Sequence, residues 1–369
     1  VLGHLPDYPW DLLTPYARQA SQHPGGVVDL SIGSPRDPTP DVVRVALAAA
    51  TDSHSYPQTA GTPDLRAAII EWFARRRGVG GLTDNEVLPT IGSKELVAFL
   101  PFMLGLGEGD TVVQPTTAYP TYAIGAALAG ASVVSSDCPN DWPVGTKLVW
   151  VNSPGNPDGR VVGVDDLRSL VAKARELGAV IASDECYAEL GWEGRWVTHR
   201  IPSILDPRVL SGDRSSVLAI YSLSKQSNLA GYRAAFVAGS STIVSKLLRV
   251  RKHAGLIVPG PVQAAMVAAL GDDSHVDRQR EIYRARRNAL RPAVEAAGFR
   301  IDHSEAGLYL WITEERDAWE SIDRLASMGI LAGPGSFYGD EKSKHVRLSI
   351  TASDERISAA VYRLRGGEA

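Results

Sequence analysis

Apolar positions along the chain fall into two alternating rhythms. Short, nearly continuous apolar runs, the mark of strands buried on both faces, occupy 87–91, 111–114, 147–151, 179–183, 217–221 and 234–238. Between them lie stretches with helical spacing: 41–50, 62–77, 95–104, 164–177, 241–254 and 261–270. In 62–77 the apolar face is Leu65, Ala68, Ile69 and Phe73, with Pro63 near the first turn; in 164–177, Asp165 and Asp166 are expected to cap the start. A longer helix, 275–297, is dense in Arg and Glu and carries Ile282, Tyr283, Leu290 and Val294 at helical spacing. It is expected to join a large domain to a smaller one. After it come a strand at 306–312, a helix at 318–328, an irregular loop at 333–339, a strand at 345–350 and a helix from Asp354. Before all of these, 1–40 is rich in Pro, Gly and Asp, with a helix at 10–22 and a strand at 27–32. The segment 33–40 holds no ordinary helix or central strand, so the opening reads as an arm lying on other structure. No internal repeat appears.

Composition narrows the function more than the fold. At 369 residues, 44% apolar and 22% charged, the chain has ample length for a buried core. A net charge of -4 gives no electrostatic footprint for nucleic acid. Two cysteines, Cys138 and Cys186, fit a reducing compartment; Cys186 reads as a buried small side chain. The first ten residues lack the apolar run of a signal peptide, and no stretch has the length of a membrane span. A cytoplasmic location is the expectation. The eight histidines form no His-x-x-x-His pair, so no metal site is expected.

The chemistry centres on 219–233, Ala-Ile-Tyr-Ser-Leu-Ser-Lys-Gln-Ser-Asn-Leu-Ala-Gly-Tyr-Arg, where an apolar strand runs into a serine-rich turn carrying Lys225. No acidic residue stands beside it. An amine that no carboxylate neutralises, next to a buried strand, can lose its proton near neutral pH and attack a carbonyl. Ser222, three residues before, and Arg233, eight after, can hold a phosphate near that amine. A nucleophilic lysine with phosphate ligands points to pyridoxal phosphate. Gly-Ser-Lys-Glu at 92–95 opens a helix after a strand, and the free amides of Ser93 and Lys94 make an anion site there. Asp184 follows a buried strand, at the edge where α/β sheets bind ligands; a helix cap is the other reading of it. Arg347, in Val-Arg-Leu-Ser, can take a carboxylate in two parallel hydrogen bonds.

Ser-x-x-Lys followed by Gly-x-Arg resembles the cofactor-lysine segment of the class I/II aminotransferases, the fold type I pyridoxal-phosphate enzymes, and further matches run from Gly33 to Arg347. The resemblance implies an α/β fold: a large domain (40–272) with a mixed, mostly parallel seven-stranded sheet between helices, and a smaller α+β domain formed by 1–39 and 273–369. It implies a homodimer in which Tyr56, in Tyr-x-x-x-x-Gly, reaches the partner's cofactor phosphate. It places Gly33 beside the substrate carboxylate, Tyr119 on the pyridine ring and Asp184 on the pyridine nitrogen. Tyr187 and Asn156 fall to the phenolic oxygen, with Asn156 also on the substrate carboxylate. Lys225 carries the cofactor and moves the proton; Arg347 binds the substrate α-carboxylate. Ser93, Lys94, Ser222 and Arg233 take the phosphate. Asp158 departs from the family, which has Thr in that turn; Asp keeps the turn but adds negative charge near an anion site.

Leu-Pro-Asp-Tyr-Pro-Trp at 5–10 and Ile-Gly-Ser-Lys-Glu-Leu at 91–96 look like the actinobacterial N-succinyl-diaminopimelate aminotransferases of lysine biosynthesis. That likeness implies N-succinyl-LL-2,6-diaminopimelate and 2-oxoglutarate as the substrate pair, with a cation on the distal carboxylate; Arg36, Lys94 and Arg160 are the candidates. Other readings are an aminotransferase for aspartate, aromatic or branched substrates, or a β-lyase of the same fold. A transcription regulator needs a helix-turn-helix for which the opening segment has no room. Serine acyl transfer through Ser222 lacks the Ser-Asp-Asn and Lys-Thr-Gly partners.

Overall fold

The computed structural model describes residues 5–339 and 341–367. Residues 1–4 and 368–369, the ends of the expected smaller domain, lie outside the described residues. In chain order the strands are β1 (Val28–Asp29), β2 (Val87–Ile91), β3 (Thr111–Gln114), β4 (Ser132–Ser135), β5 (Thr146–Asn152), β6 (Val180–Asp184), β7 (Val217–Ser222), β8 (Ala234–Gly239), β9 (Arg300–Asp302), β10 (Tyr309–Thr313), β11 (Ile330–Leu331), β12 (Gly333–Pro334) and β13 (His345–Ser349).

Seven of them form the main sheet, in the order β2-β8-β7-β6-β5-β3-β4. The pairings from β7 through β4 are parallel, and β8 runs antiparallel to both of its neighbours. This is the mixed, mostly parallel sheet the family resemblance implies. Its central strands β7 and β8 are buried at every position because both faces are covered. On β7, Val217, Ala219 and Tyr221 face a core built with the helices Asp41–Ala49, Pro63–Trp72, Val164–Glu176 and Gly260–Gly271. Leu218 and Ile220 face the other side, against Ser93–Leu104, Thr121–Ala129 and Ser241–Ala254.

A second body packs around the sheet β12-β13-β10-β9. Its core takes Tyr283, Leu290 and Val294 from the helix Asp273–Ala296, Ile322 and Leu325 from Ala318–Ser327, and Ile357 and Leu364 from Asp354–Leu364. The opening segment adds Leu13, Val28 and Leu30 to this same core, and β1 pairs in parallel with β11. The arm is therefore part of the smaller body, tied by strand pairing as well as by apolar contact.

Local departures from the expected pattern have local causes. The strand expected at 27–32 shrinks to two residues because the chain changes partners. Leu30 N donates to Leu331 O at 2.8 Å, while Leu30 O accepts from Ser349 N at 2.8 Å. The helix expected over 62–77 is α-helical only to Trp72; Phe73–Arg77 is a wider π turn stopped by Gly78 at φ 70°. Gly163, not Asp165 or Asp166, occupies the cap of Val164–Glu176; the two acids lie in the first turn, where they complement the helix dipole. Likewise Gly92, at φ 76°, caps Ser93–Leu104. Strands β4, β9, β11 and β12 carry too few apolar residues in sequence to announce themselves.

Phe236 on β8 is fully buried, with ring centroids 5.4 Å from Trp72, 5.8 Å from Phe73 and 5.7 Å from Tyr221. Phe236→Ala should cost about 3–5 kcal/mol of stability, read as a lower urea midpoint in chemical denaturation.

Candidate active site

The parallel register sets the site. Asn152, Asp184 and Ile220 stand side by side where β5, β6 and β7 end, so the turn carrying Lys225 leaves the sheet beside Asp184. Ser222 starts that turn, its Oγ accepting from Ser224 N at 3.2 Å and donating to Ser224 Oγ at 2.8 Å. Lys225 Nζ donates to the carbonyl of Gly33 on the arm. Burial pushes the lysine pKa down, and the nearby cations Arg347 and Arg233 add to the effect; Tyr309 and Cys186 oppose it. The strongest influences on this amine include no carboxylate.

Asp184 is 7% exposed, and burial pushes its pKa up. Tyr122 OH donates to its Oδ2 at 3.2 Å and Cys186 N to its Oδ1 at 3.2 Å. Tyr122 is held in turn by stacking on Trp150, centroids 4.8 Å apart at 19°. Tyr119 meets Tyr122 edge-on at 5.8 Å, and burial pushes its pKa to about 12. The sequence reading singled out Tyr119 and passed over Tyr122. The only signal for it was the second aromatic of Tyr-Pro-Thr-Tyr.

An anion cradle lies next to these groups. A Cβ on Gly92 would stand 2.1 Å from Arg233 Nη2, so the guanidinium rests against the amino end of the helix Ser93–Leu104. Arg233 itself adopts φ 55° and donates to Ala230 O at 2.8 Å. A cation at the positive end of a helix dipole is repelled unless an anion sits between them. Ser93, on the first turn, lies near the Cys186 thiol, and Cys186 N bonds Asp184 Oδ1, which places the cradle beside Asp184.

Arg347 marks the opposite wall. It is 3% exposed, with Nη1 donating to Asn156 Oδ1 at 2.8 Å and Nη2 to Ser31 O at 2.5 Å, while Nε has no partner. Its Cζ lies 4.0 Å from the Tyr309 ring centroid and 5.1 Å from that of Tyr338. Asn152, which the sequence reading did not weigh, shapes the loop: its Oδ1 accepts from Asn156 N at 2.8 Å and its Nδ2 donates to Asp184 O at 3.0 Å. Asp158 Oδ1 accepts from Arg160 N at 3.1 Å, and burial pushes its pKa up. Tyr187 OH lies 3.4 Å from Tyr309 OH. Gly33 is tight for a reason the motif did not supply: a Cβ there would stand 2.2 Å from Tyr309 OH.

The structure thus gathers Gly33, Ser93, Tyr119, Asn156, Asp184, Tyr187, Ser222, Lys225, Arg233 and Arg347. Tyr56 is left out, 98% exposed. Lys94 is exposed, its Nζ 5.8 Å from the Tyr8 ring centroid. Arg36 is exposed, and Arg160 is exposed and turned to His303 at 3.0 Å. A separate Ser227–His275–Asp272 chain has the distances of a hydrolase triad, 2.8 and 3.0 Å. Ser227 is fully buried and Gln226 also donates to its hydroxyl, so the arrangement ties two elements together and offers no nucleophile. Among the described residues, no group of three His, Cys, Asp or Glu side chains is placed to hold a metal, and no helix is long and apolar enough to cross a membrane.

The family model for aminotransferase class I and II matches residues 25–364. The chain belongs to that family. A 4-dedimethylamino-4-oxo-anhydrotetracycline transaminase of Streptomyces rimosus is 53% identical over 98% of this chain and 100% of its own. A probable aminotransferase of Mycobacterium tuberculosis is 52% identical over 99% of this chain and 86% of its own. An LL-diaminopimelate aminotransferase of Dehalococcoides mccartyi is 31% identical, over 92% and 90%. Among solved structures, an aminotransferase from Neisseria meningitidis superposes with a TM-score of 0.88 at 30% identity, over 99% of this chain and 98% of that one. This aminotransferase therefore uses pyridoxal phosphate, and its residues fit that group. The amine at 225 suits the aldehyde, the Gly92–Arg233 cradle suits the phosphate, and the buried Asp184 carboxylate suits a protonated ring nitrogen.

Gly92→Ala should weaken pyridoxal phosphate binding at least ~10-fold, about 1.4 kcal/mol, measured by cofactor titration of the aminotransferase apoprotein. Because Lys225 has its pKa below the ordinary 10.5, the free-amine fraction grows as pH rises and saturates early. The rate at which the apoprotein captures the aldehyde should climb with pH to a midpoint below 10.5, read by stopped-flow absorbance.

Proposed function

We propose that the gathered side chains carry out amino transfer between an amino acid and a 2-oxo acid in two mirrored half-reactions, giving ping-pong kinetics. The observation that carries this is the half-buried Lys225, whose amine has no carboxylate among its strongest neighbours, has the cations Arg347 and Arg233 nearby, and leaves the sheet beside the Asp184 strand end. When bound, pyridoxal phosphate supplies an electron-accepting ring conjugated to the amino nitrogen. Lys225 would hold the cofactor through its amine and would serve as the base for the substrate α-proton; burial lowers its pKa, which favours the neutral amine that this work needs. Asp184 would face the ring nitrogen, with Tyr122 OH and Cys186 N aiming its two oxygens. Tyr187 and Asn156 serve the phenolic oxygen. Arg347 forks onto the α-carboxylate, trading its bonds to Asn156 and Ser31 for the substrate.

In this reading 40–272 is the cofactor-carrying unit and 1–39 with 273–369 the smaller one. A homodimer brings Tyr56 across to the partner's phosphate; its full exposure in one chain accords with a role met only on assembly. The substrate pair is N-succinyl-LL-2,6-diaminopimelate with 2-oxoglutarate, in lysine biosynthesis. Of the three cations considered for the distal carboxylate, Lys94 is the one beside the arm's Tyr8, on the helix that opens at the anion cradle. A second reading, a flat polycyclic ketone as acceptor, is favoured by the Streptomyces rimosus relative and by the aromatic cluster of Tyr8, Trp10 and Tyr338 on the same side.

An amino-donor screen with 2-oxoglutarate, including N-succinyl-diaminopimelate, glutamate and aromatic amino acids, tests the substrate. The succinylated donor is expected to turn over fastest, and Lys94→Ala to raise its KM roughly 10-fold. Turnover of a simple amino acid with none of the succinylated one would overturn that choice and leave the reaction class standing. Lys225→Ala should abolish both the visible absorbance of the bound cofactor and all turnover.

A further inference from the structure

Tyr309 belongs to no role assigned above, yet it meets Arg347, Tyr187 and Gly33 at once. It is 5% exposed on β10, two positions before Trp311, which faces Arg347 across the β10–β13 pairing. Its ring covers the Arg347 guanidinium at 4.0 Å, and its hydroxyl lies 3.4 Å from that of Tyr187. The same hydroxyl fills the space that a side chain at position 33 would take. Gly33 in turn supplies the carbonyl that holds the Lys225 amine.

We propose that Tyr309 is a positioning residue that links the two ends of the substrate site, its ring fixing the plane of Arg347 and its hydroxyl donating to Tyr187. The inference rests on the reading of this cleft as the cofactor and substrate site. Either hydroxyl can donate across the 3.4 Å, and Tyr309, whose ring covers the Arg347 guanidinium at 4.0 Å, is the one that a neighbouring cation makes more acidic. Burial alone would raise the Tyr309 pKa, but the cations Arg347 and Lys225 beside it, with the bond to Tyr187, outweigh burial and Cys186 and pull it down. Tyr187 faces Cys186 and Asp184, and burial drives its pKa up. The more acidic phenol is the better donor, so Tyr309 gives its proton to the Tyr187 oxygen. The Tyr187 proton is then left free to point into the cleft, toward the phenolic oxygen the cofactor presents.

The test is a pH titration of the visible absorbance of the holoenzyme for the wild type, Tyr309→Phe, Tyr187→Phe and the double variant. A phenol donating toward an anion stabilises the deprotonated form, so removing the donor raises the titration midpoint. Tyr187→Phe should raise it most. Tyr309→Phe should raise it by roughly half a pH unit, a ~3-fold change in proton affinity, and should add nothing in the Tyr187→Phe background. The ring is tested separately: Tyr309→Leu should raise the KM of the amino donor roughly 10-fold, and Tyr309→Phe, which keeps the ring over Arg347, should restore it. An unchanged midpoint in Tyr309→Phe, or a shift that survives undiminished without the Tyr187 hydroxyl, overturns the proposal. A wild-type protein with no visible band that depends on Lys225 overturns the site reading itself, and the proposal with it.

Discussion

The structure depends on keeping one amine dry and unneutralised. Lys225 gives its hydrogen bond to a backbone carbonyl, that of Gly33, and not to a carboxylate. A carboxylate there would lock the amine in its charged form; a carbonyl holds it without that penalty. The acid the chemistry needs is instead at the end of the neighbouring strand. Asp184 is buried on its own account, with Tyr122 and a backbone amide as partners. Charge separation of this sort costs desolvation on both sides. In the proposed reading the cofactor would fit this gap because it carries complementary charge at each end: a protonated nitrogen for Asp184 and a phosphate for Arg233.

Two glycines make the arrangement sterically possible. At position 92 the missing side chain lets a guanidinium lie on a helix start, converting two repelling positive features into one anion site. At position 33 it lets a tyrosine hydroxyl from the smaller body approach the arm next to the lysine. Only the first of these has a backbone that favours glycine, at φ 76°. The second is a matter of space alone, which is why a turn motif does not reveal it.

That difference explains how much of the site was legible in the sequence. Lys225, Asp184 and the Ser93 helix start stand at strand ends or helix starts, so hydrophobic periodicity locates them and residue chemistry does the rest; Arg347, in the middle of β13, is marked by the motif Val-Arg-Leu-Ser. Tyr122, Asn152 and Tyr309 act through side chains that reach across the fold, and nothing local distinguishes them from core residues. The Tyr122–Asp184 contact joins positions 62 apart, and Tyr187–Tyr309 positions 122 apart. The sheet was readable for the same reason as the lysine: its central strands are long, apolar runs. Strands β11 and β12, two residues each, exist only because a partner lies beside them.

The arm that supplies the Gly33 carbonyl is itself held by a polar network, and this matters more than its apolar contacts. Asn228, three residues after the lysine and at φ 56°, donates to Pro38 O at 3.2 Å and to Gln279 Oε1 at 2.8 Å. Gln279 donates to Asp37 at 2.8 Å, and Arg286 bridges Asp37 and Asp354 at 2.6 Å each. The lysine turn, the arm and the helix Asp273–Ala296 are thus one hydrogen-bonded unit. Apolar surfaces tolerate small sliding with little loss, whereas a buried hydrogen bond displaced by an ångström leaves its donor and acceptor unpaired. The network therefore admits a single register between arm and lysine, and with it a single position for the carbonyl on which the amine rests.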